Sequence, residues 1–354
     1  MECVHDQNCS IHIGDGAVQL ADDIPLRQEN RNCIILCEEQ AAESILPTLG
    51  DRCPNLRKQP LYYLDAREQN KQISNLLPLW QAWEADGIDR NTLVINIGGG
   101  VLCDMGGFAA SVFKRGIPFV NIPTTLLAMA DASVGGKTAV NLDETKNVIG
   151  TFCRPEAVLI DPVFLGTLPE REFLSGMAEL IKMQWIANPD FNIDQAEEGF
   201  SSQPMLSALL HFAIEQKARI TALDFKEGNI RKTLNFGHTF GHAFEALALK
   251  RQQRLTHGEA VAHGMVCELY LSWLMTGFER ETFEICSAWL RKHYGIFQFS
   301  RQEIPELISY MKADKKNIEG RVYPILLSAF GQCRFTQAVP ESLLEKALSA
   351  YPFF

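Results

Sequence analysis

Hydrophobic and polar positions follow two different patterns along the chain, and the change comes near the middle. In the first pattern, short apolar runs are separated by helix-like stretches such as residues 71–85. The runs lie at residues 32–37, 61–65, 92–97, 119–122 and 157–160. Apolar runs without alternation predict strands that are buried on both faces, and intervening helices predict a parallel sheet.

Beyond about residue 168 the apolar positions recur at the three- and four-residue spacing of amphipathic helices. Such helices are predicted at 170–186, 205–225, 234–248, 259–276, 280–294, 304–311 and 340–351. A single strand is predicted there, at 323–327. Leu168-Pro169-Glu170 places proline in the first turn of a helix, which marks a boundary. We therefore predict two domains, an α/β domain over 1–167 and a helical domain over 168–354.

Composition narrows the class of protein. The chain has 354 residues, of which 46% are hydrophobic and 21% charged, as in ordinary globular proteins that fold as two domains. The sequence contains no run of eighteen apolar residues, so no membrane span is predicted. Residues 1–16 lack the basic flank and apolar run of a signal peptide. The ten cysteines form no C-x-x-C pair, which indicates reduced thiols in a cytoplasmic protein. A net charge of −10 argues against nucleic acid and membrane partners.

Residues 231–263 hold four of the eight histidines of the chain. His238 and His242 are four residues apart, so they share one face of a helix. His257 follows a polar turn at 250–254 and precedes a second predicted helix, so His238 and His257 can point at one position. A catalytic zinc site needs a third ligand, a carboxylate or histidine from elsewhere. Histidines at this spacing more often form a hydrogen-bonded pair or a partly exposed helix face than a metal site, and His263 is expected to be structural.

A glycine-rich turn follows the predicted strand at 92–97. Gly98-Gly99-Gly100 allows close approach of the backbone to a pyrophosphate at the start of a helix. The stretch does not have the G-x-G-x-x-G spacing, so a tight turn without a ligand is an equally good interpretation. Glu68 and Lys71, after the preceding strand, can contact ribose hydroxyls or form a solvated charge pair.

Residues 123–147 combine an apolar background with a dense polar set. A P-loop is excluded, because the first glycine of that motif would fall on Asp131. Lysines and asparagines beside glycine suit a phosphorylated or carboxylated substrate, with a solvated loop as the alternative. The polar set comprises Thr124, Thr125, Asp131, Lys137, Asn141, Lys146 and Asn147.

These stretches together resemble the 3-dehydroquinate synthase family between about residues 60 and 330. The motifs are 98–108, 115–117, 123–141, 146–147, 178–182, 231–242 and 257–261. The resemblance implies an α/β Rossmann-like N-terminal domain with a parallel sheet that binds NAD. It also implies an all-α C-terminal metal-binding domain, zinc or cobalt as the metal, and a cytoplasmic homodimer.

The resemblance further implies a reaction in the shikimate pathway of aromatic amino acid biosynthesis. The lyase converts 3-deoxy-D-arabino-heptulosonate 7-phosphate (DAHP) to 3-dehydroquinate and phosphate. The expected steps are transient oxidation by NAD, phosphate elimination, re-reduction, ring opening and intramolecular aldol closure. The expected partner is thus a small phosphorylated sugar acid.

Matching the motifs residue by residue gives the expected site. The metal ligands are Glu179, His238 and His257. The catalytic residues are Lys137, Lys182, Lys217, Arg231, Asn235, His242 and Lys315. Further substrate contacts are Asp131, Lys146, Asn147 and, in the neighbouring subunit's site, Arg115. The NAD contacts are Glu68, Lys71, Gly99, Gly100, Asp104, Thr124, Thr125 and Thr167.

Some positions depart from the family pattern. Ala139 stands where the family usually has glycine. Glu38 stands near the position where the family usually has an Asp or Asn that contacts the adenosine ribose. Glu38 is left out of the expected site. Lys316 is an alternative to Lys315. The rival functions are another sugar phosphate cyclase, a glycerol-dehydrogenase-like metal enzyme, and an NAD-binding scaffold without activity.

Overall fold

The computed structural model describes residues 1–23, 32–143, 145–313 and 321–353. The chain forms two compact units. The first comprises Met1–Phe173 together with Lys217–Lys226, and the second comprises Leu174–Gln216 with Glu227–Phe354. The sequence did not indicate that residues 217–226 belong with the first unit. The predicted boundary after residue 167 concerns folding domains and stays a prediction.

A seven-stranded sheet forms the centre of the first unit, in the order β1-β2-β9-β6-β5-β3-β4. Only β1 and β2 pair antiparallel within it, and the remaining neighbours are parallel. The strands are β1 (Glu2–Asp6), β2 (Cys9–Ile13), β3 (Cys33–Glu38), β4 (Leu61–Leu64), β5 (Leu93–Gly98), β6 (Phe119–Pro123) and β9 (Ala157–Ile160). The five strands predicted from apolar runs are all present, and the β1–β2 hairpin was not predicted.

Three α-helices of the first unit accompany this sheet: α1 (Ala42–Arg52), α2 (Leu77–Ala85) and α3 (Gly100–Val112). The prediction of a helix over 71–85 is wrong in its first half. There the carbonyl of Lys71 accepts a hydrogen bond from the amide of Asn141 at 2.6 Å, so the backbone pairs with another segment. Residues Ile73–Asn75 form only a 3₁₀ turn.

The end of the polar segment at 123–147 lies in a two-stranded antiparallel sheet of β7 (Lys137–Leu142) and β8 (Thr145–Phe152), and not in the solvated loop that was the alternative interpretation. The middle of β7 is buried against α3. A Cβ atom added to Gly107 of α3 would lie 2.7 Å from Thr138 Cγ2, so the glycine permits this close packing. The polar side chains of this segment are therefore held on a fixed hairpin.

The second unit is built mainly from helices, with one hairpin of β10 (Leu326–Ala329) and β11 (Gln332–Arg334). The predicted strand at 323–327 is therefore correct only at its end. The helices are α4 (Glu170–Ala187), α5 (Ile193–Gly199), α6 (Gln203–Leu223), α7 (His238–Lys250), α8 (His257–Thr276), α9 (Arg280–Tyr294), α10 (Ile304–Ala313) and α11 (Glu341–Ala350). The start of α4, up to Phe173, and the end of α6, from Lys217, belong to the first unit. In the described ranges, no helix is both long enough and apolar enough to cross a membrane.

Helix α7 begins four residues later than the pattern predicted. Residues Ile230–Asn235 form a 3₁₀ turn, and Gly237 then adopts a left-handed conformation with φ of 81°. A left-handed residue is readily accommodated only by glycine and interrupts a helix. The interruption makes His238 the first residue of α7.

Candidate metal and cofactor sites

Glu179, His238 and His257 form one cluster in the second unit, called here the metal-ligand cluster. One ligand atom from each lies within 4.8 Å of the others. Glu179 Oε1 is 3.7 Å from His238 Nε2 and 3.6 Å from His257 Nε2. The two ring nitrogens thus face the same carboxylate from two helices.

Close helix packing brings these three residues together. A Cβ atom added to Gly258, next to His257, would lie 2.0 Å from the carbonyl oxygen of Ser175 on α4. The amide of Gly258 also donates to Ser175 Oγ at 3.0 Å. Ser175 lies one helical turn before Glu179, so this contact sets the spacing between Glu179 and His257.

Helices α7 and α8 approach each other just as closely. A Cβ atom added to Gly264 would lie 1.8 Å from the carbonyl oxygen of Gly237. Glu268 of α8 is fully buried and accepts hydrogen bonds from the amides of Gly237 and Thr239, at 2.8 and 3.2 Å. The buried carboxylate therefore caps the start of α7 and fixes the backbone on both sides of His238.

The donors of the metal-ligand cluster fit a zinc or cobalt ion. Two imidazoles and one carboxylate are a common catalytic donor set, which leaves a position for substrate. Within the described residues, neither oxygen of the buried Glu179 carboxylate accepts a hydrogen bond, although the Lys182 ammonium forms an ion pair with it. A buried carboxylate needs compensation by cations, and a divalent ion would supply it.

His242 lies beside the metal-ligand cluster. Its ring centroid is 5.4 Å from that of His238 and 6.3 Å from that of His257. Its side chain is half-buried, and it projects from the helical face that carries His238. A third imidazole is thus close to the two histidine donors and can exchange a proton with a molecule bound near them.

In the first unit, the glycine turn joins the end of β5 to α3. A Cβ atom added to Gly98 would lie 2.5 Å from Leu102 Cδ2 and 2.9 Å from Glu38 Cβ, so side chains are excluded there. Glu38, at the end of β3, accepts a hydrogen bond from the Gly99 amide at 2.8 Å. Burial raises the pKa of the Glu38 carboxyl, and the Gly99 amide opposes that shift.

This turn fits a dinucleotide, because backbone amides at the start of a helix meet the carboxyl ends of parallel strands. Thr124 lies beside the glycine turn, since its amide donates a hydrogen bond to the Gly98 carbonyl at 3.0 Å. Thr125 Oγ1 accepts a hydrogen bond from the Ala128 amide at 3.2 Å. Ala128 is the first residue of the π-helical turn Ala128–Ala132.

The predicted NAD residues Glu68, Lys71 and Asp104 belong to one polar network. Lys71 Nζ donates to Asp104 Oδ2, and also to Asn147 Oδ1 at 2.6 Å. Asn141 Nδ2 donates to Glu68 Oε1 at 3.0 Å, and Asn141 Oδ1 accepts from the Asn147 amide at 2.9 Å. Burial raises the pKa of Asp104, and Lys71 opposes the shift. The network fixes the β7–β8 hairpin against residues 68–71.

Asp131 and Lys217 form an ion pair in the first unit, where the Lys217 ammonium also reaches the carbonyl oxygen of Asp131. The pair brings residue 217 of α6 to the π-helical turn. Lys137 and Lys146 are exposed on the β7–β8 hairpin, while Arg115 and Thr167 are exposed in turns outside these networks. Lys315, like Lys316, lies outside the described residues.

Buried cations are concentrated in the predicted set. Over the described ranges, the buried lysines and arginines are Lys71, Lys182, Lys217 and Arg231, with exposures of 3%, 1%, 5% and 2%. Lysine and arginine are rarely buried in proteins, because their charge loses hydration. Each of these four positions had been expected to contact substrate or NAD.

The comparison with protein families decides the classification. A model described as 3-dehydroquinate synthase N-terminal matches residues 61–175, and one described as 3-dehydroquinate synthase C-terminal matches residues 176–317. The chain belongs to the 3-dehydroquinate synthase family. The predicted resemblance and the predicted fold class are thereby confirmed.

Individual members of the 3-dehydroquinate synthase family match over most of their length. The 3-dehydroquinate synthase of Parabacteroides distasonis is 39% identical, over 90% of this chain and 90% of its own. That of Oceanobacillus iheyensis is 36% identical, over 96% of this chain and 94% of its own. A solved 2-deoxy-scyllo-inosose synthase, complexed with carbaglucose-6-phosphate, NAD+ and Co2+, is 26% identical, covers 96% of both chains and has a TM-score of 0.81.

Two contacts in this family member were not expected from its sequence. Glu38 was left out of the site, although it hydrogen-bonds the glycine turn. Glu245, seven residues after His238, lies 3.5 Å from His257 Nδ1. Seven-residue spacing places Glu245 on the helical face of His238, which was the available signal.

Proposed function

We propose that the chain is a 3-dehydroquinate synthase, which converts DAHP to 3-dehydroquinate and phosphate. The observation that carries this proposal is the buried metal-ligand cluster beside the Lys182 ammonium. The similar proteins of Parabacteroides distasonis and Oceanobacillus iheyensis carry that name, and the buried cations suit a substrate with a phosphate and a carboxylate.

Each cofactor has residues that would hold it. Glu179, His238 and His257 would hold zinc or cobalt. Gly99, Gly100, Asp104, Thr124, Thr125, Thr167, Glu68 and Lys71 would hold NAD, and Glu38 joins them at the glycine turn. When bound, the metal polarises the hydroxyl to be oxidised, and NAD accepts and later returns a hydride.

The side chains of the chain itself bind the substrate and move protons. Lys182, Lys217 and Arg231 supply positive charge for its anionic groups, together with Lys137, Lys146 and Lys315. Asn235 is oriented by Glu227, whose Oε1 accepts from Asn235 Nδ2 at 2.7 Å. His242 would take up the hydroxyl proton, directly or through a hydroxyl or water. Asp131 and Asn147 would hydrogen-bond substrate hydroxyls, and the fixed geometry assists the final ring closure.

The proposal extends to assembly and location. We expect a cytoplasmic homodimer in which Arg115 of one subunit reaches phosphate in the site of the other. The exposed position of Arg115 on a turn is compatible with such a contact. The acidic net charge of −10 is compatible with the absence of nucleic acid and membrane partners.

A sister cyclase is the second candidate, because the similar 2-deoxy-scyllo-inosose synthase was solved with a glucose 6-phosphate analogue. Its sugar phosphate has no carboxylate. Retention of Arg231, Asn235 and His242 favours an acid-bearing substrate. A glycerol-dehydrogenase-like enzyme would accumulate NADH and would not need so many buried cations.

The test is phosphate release from DAHP by the purified protein with zinc and catalytic NAD, while NADH absorbance is followed. We expect phosphate and 3-dehydroquinate in equal amounts without NADH accumulation. Accumulating NADH would indicate a dehydrogenase. Turnover of glucose 6-phosphate or sedoheptulose 7-phosphate but not DAHP would indicate a sister cyclase.

Two variants serve as controls in this assay. Lys137→Ala is expected to retain NAD and zinc but lose turnover, because this exposed lysine is a proposed contact of the substrate and not of either cofactor. His257→Ala is expected to lose zinc as well as turnover. A fully active, metal-free His257→Ala protein would refute the proposed metal ligands.

A further inference from the structure

Both histidines of the metal-ligand cluster have an acceptor at the other nitrogen of the ring. His238 Nδ1 lies 3.1 Å from the carbonyl oxygen of Phe236. His257 Nδ1 lies 3.5 Å from Glu245 Oε1. Both Nε2 atoms face Glu179. In both rings, Nε2 therefore faces Glu179 and Nδ1 faces an acceptor. The acceptor is a backbone oxygen for His238 and a carboxylate for His257.

The acceptors select the tautomer of each ring. A carbonyl or an ionised carboxylate accepts but does not donate, so each contact is favourable when the ring N–H is at Nδ1. The lone pair of the neutral imidazole then lies on Nε2, which points at Glu179. Metal-binding histidines commonly have such a partner, which fixes the ring and raises its basicity.

We propose that Glu245 is a positioning residue for His257: its carboxylate holds the N–H of His257 Nδ1, so that Nε2 is presented as a metal ligand. This inference rests on the proposed metal binding. Glu245 is two helical turns after His238 on α7, so one helix supplies one ligand and orients the other.

The environment of Glu245 strengthens its effect. Its side chain is only 12% exposed, compared with 30% for His257, so water competes weakly for the carboxylate. The close contact of α7 and α8 at Gly264 keeps the two side chains at a fixed separation. The negative charge also balances part of the positive charge that a divalent ion brings to the imidazole.

The experiment measures zinc affinity by competition with a chromophoric chelator, using the full-length metal-free protein. Glu245→Ala removes the acceptor and should weaken zinc binding by about 10- to 100-fold, the usual effect of losing such a partner. Glu245→Gln keeps the size and one acceptor oxygen but not the charge, so its zinc affinity should lie between those of wild type and Glu245→Ala.

Glu306→Gln is the matched control. Glu306 is a glutamate that pairs with Lys250 at the other end of α7 and lies away from the cluster histidines in sequence. The zinc affinity of the Glu306→Gln protein should equal that of the wild type. A second readout is the nitrogen NMR signal of His257, which should report a protonated Nδ1 in the wild type and a mixture of tautomers in Glu245→Ala.

A double-mutant cycle separates positioning from a general structural role. In a His257→Ala background, the weak residual zinc affinity of Glu179 and His238 is measured at higher zinc concentrations, and Glu245→Gln should cause no further loss of it. An equal loss in both backgrounds would overturn the inference, as would unchanged zinc affinity in Glu245→Gln and Glu245→Ala. If the wild type itself binds no zinc, the proposed metal site fails first, and the inference fails with it.

Discussion

At the scale of single residues, Lys182 has a direct electrostatic effect on the metal-ligand cluster. It lies one helical turn from Glu179 on α4, and the side chains of both are 1% exposed. Its ammonium pairs with the carboxylate that would bind the metal. A positive charge at this distance repels a divalent cation, and burial reduces the screening by water.

Lys182→Met should therefore raise zinc affinity by about tenfold or more, since it removes the charge and keeps a side chain of similar length. Turnover should fall, because the ammonium is also a proposed substrate contact. The measurement is chelator competition alongside phosphate release. Lys217→Met, another buried lysine in an ion pair with an aspartate, should leave zinc affinity unchanged. Weaker zinc binding in Lys182→Met would show that the ammonium supports the site.

His263, also on α8, has a structural environment. Its ring packs among Phe244, Phe297 and Tyr351, with centroid distances of 6.4, 6.3 and 6.0 Å. Burial lowers the pKa of His263 from 6.5 to about 4, and Glu259 opposes that shift. The folded protein thus keeps this imidazole neutral at a pH where the unfolded chain protonates it.

The free energy of unfolding should consequently decrease as the pH falls below 6.5. Between about pH 7.5 and pH 5, linkage predicts a loss of about 2 kcal/mol from this one residue. Denaturant titrations of the metal-free protein at both pH values measure it. In His263→Leu the loss should be smaller by that amount, whereas His5→Gln, at an exposed position on β1, should behave as the wild type. Equal losses in wild type and His263→Leu would contradict the assignment.

At the scale of elements, glycines at the α7–α8 and α4–α8 contacts determine where the cluster residues meet. A glycine within a helix costs about 1 kcal/mol relative to alanine, so a glycine kept there is a sign of close backbone approach. The structure shows that the approaching groups are other helices of the same unit. The cost in helix propensity is offset by helix packing that no larger residue allows.

Gly264→Ala should destabilise the protein by about 3 kcal/mol or more, because the added methyl group would meet the Gly237 carbonyl at 1.8 Å. Zinc affinity should fall too, since α7 carries His238 and α8 carries His257. Thermal unfolding and chelator competition measure both effects. Gly166→Ala is the control, because its added Cβ would meet no atom within 4 Å. Unchanged stability in Gly264→Ala would mean that the two helices adjust freely.

Some elements could be predicted from sequence and others could not, for physical reasons. Helix α9 was predicted with both ends correct, because its apolar face is regular. The hairpins β1–β2 and β7–β8 were missed, because their strands mix polar and apolar residues and lack the continuous apolar runs of the central strands. Helical periodicity also does not predict the left-handed conformation of Gly237, which makes α7 begin at His238.

The same distinction applies to the candidate sites. The histidine spacing predicted that His238 and His257 could point at one position, and the structure brings them together. Glu179 came only from the family resemblance, since a ligand on a distant helix leaves no local pattern. The contact of Glu245 depends on how two helices cross, which spacing along one helix does not determine. The functional roles of these residues stay predictions.

At the scale of the whole molecule, the net charge is negative, whereas the buried charges at the expected ligand contacts are positive. The chain carries −10 overall, yet its described buried cations are residues expected to contact an anionic substrate or NAD. Exposed acidic groups favour solubility, and local positive groups determine which ligand is bound. Net charge therefore argues against nucleic acid and membrane partners, whereas the buried cations are compatible with an anionic substrate.

The return of Lys217–Lys226 to the first unit has a consequence for synthesis on the ribosome. Asp6 is 1% exposed, forms an ion pair with Arg154 at 3.0 Å and accepts a hydrogen bond from Thr221 Oγ1 at 3.2 Å. A nascent chain that ends before residue 217 contains Asp6 and Arg154 but not Thr221. The first unit must therefore remain unfinished while the 43 residues from Leu174 to Gln216 are translated. Vectorial folding of this protein cannot proceed one completed unit at a time.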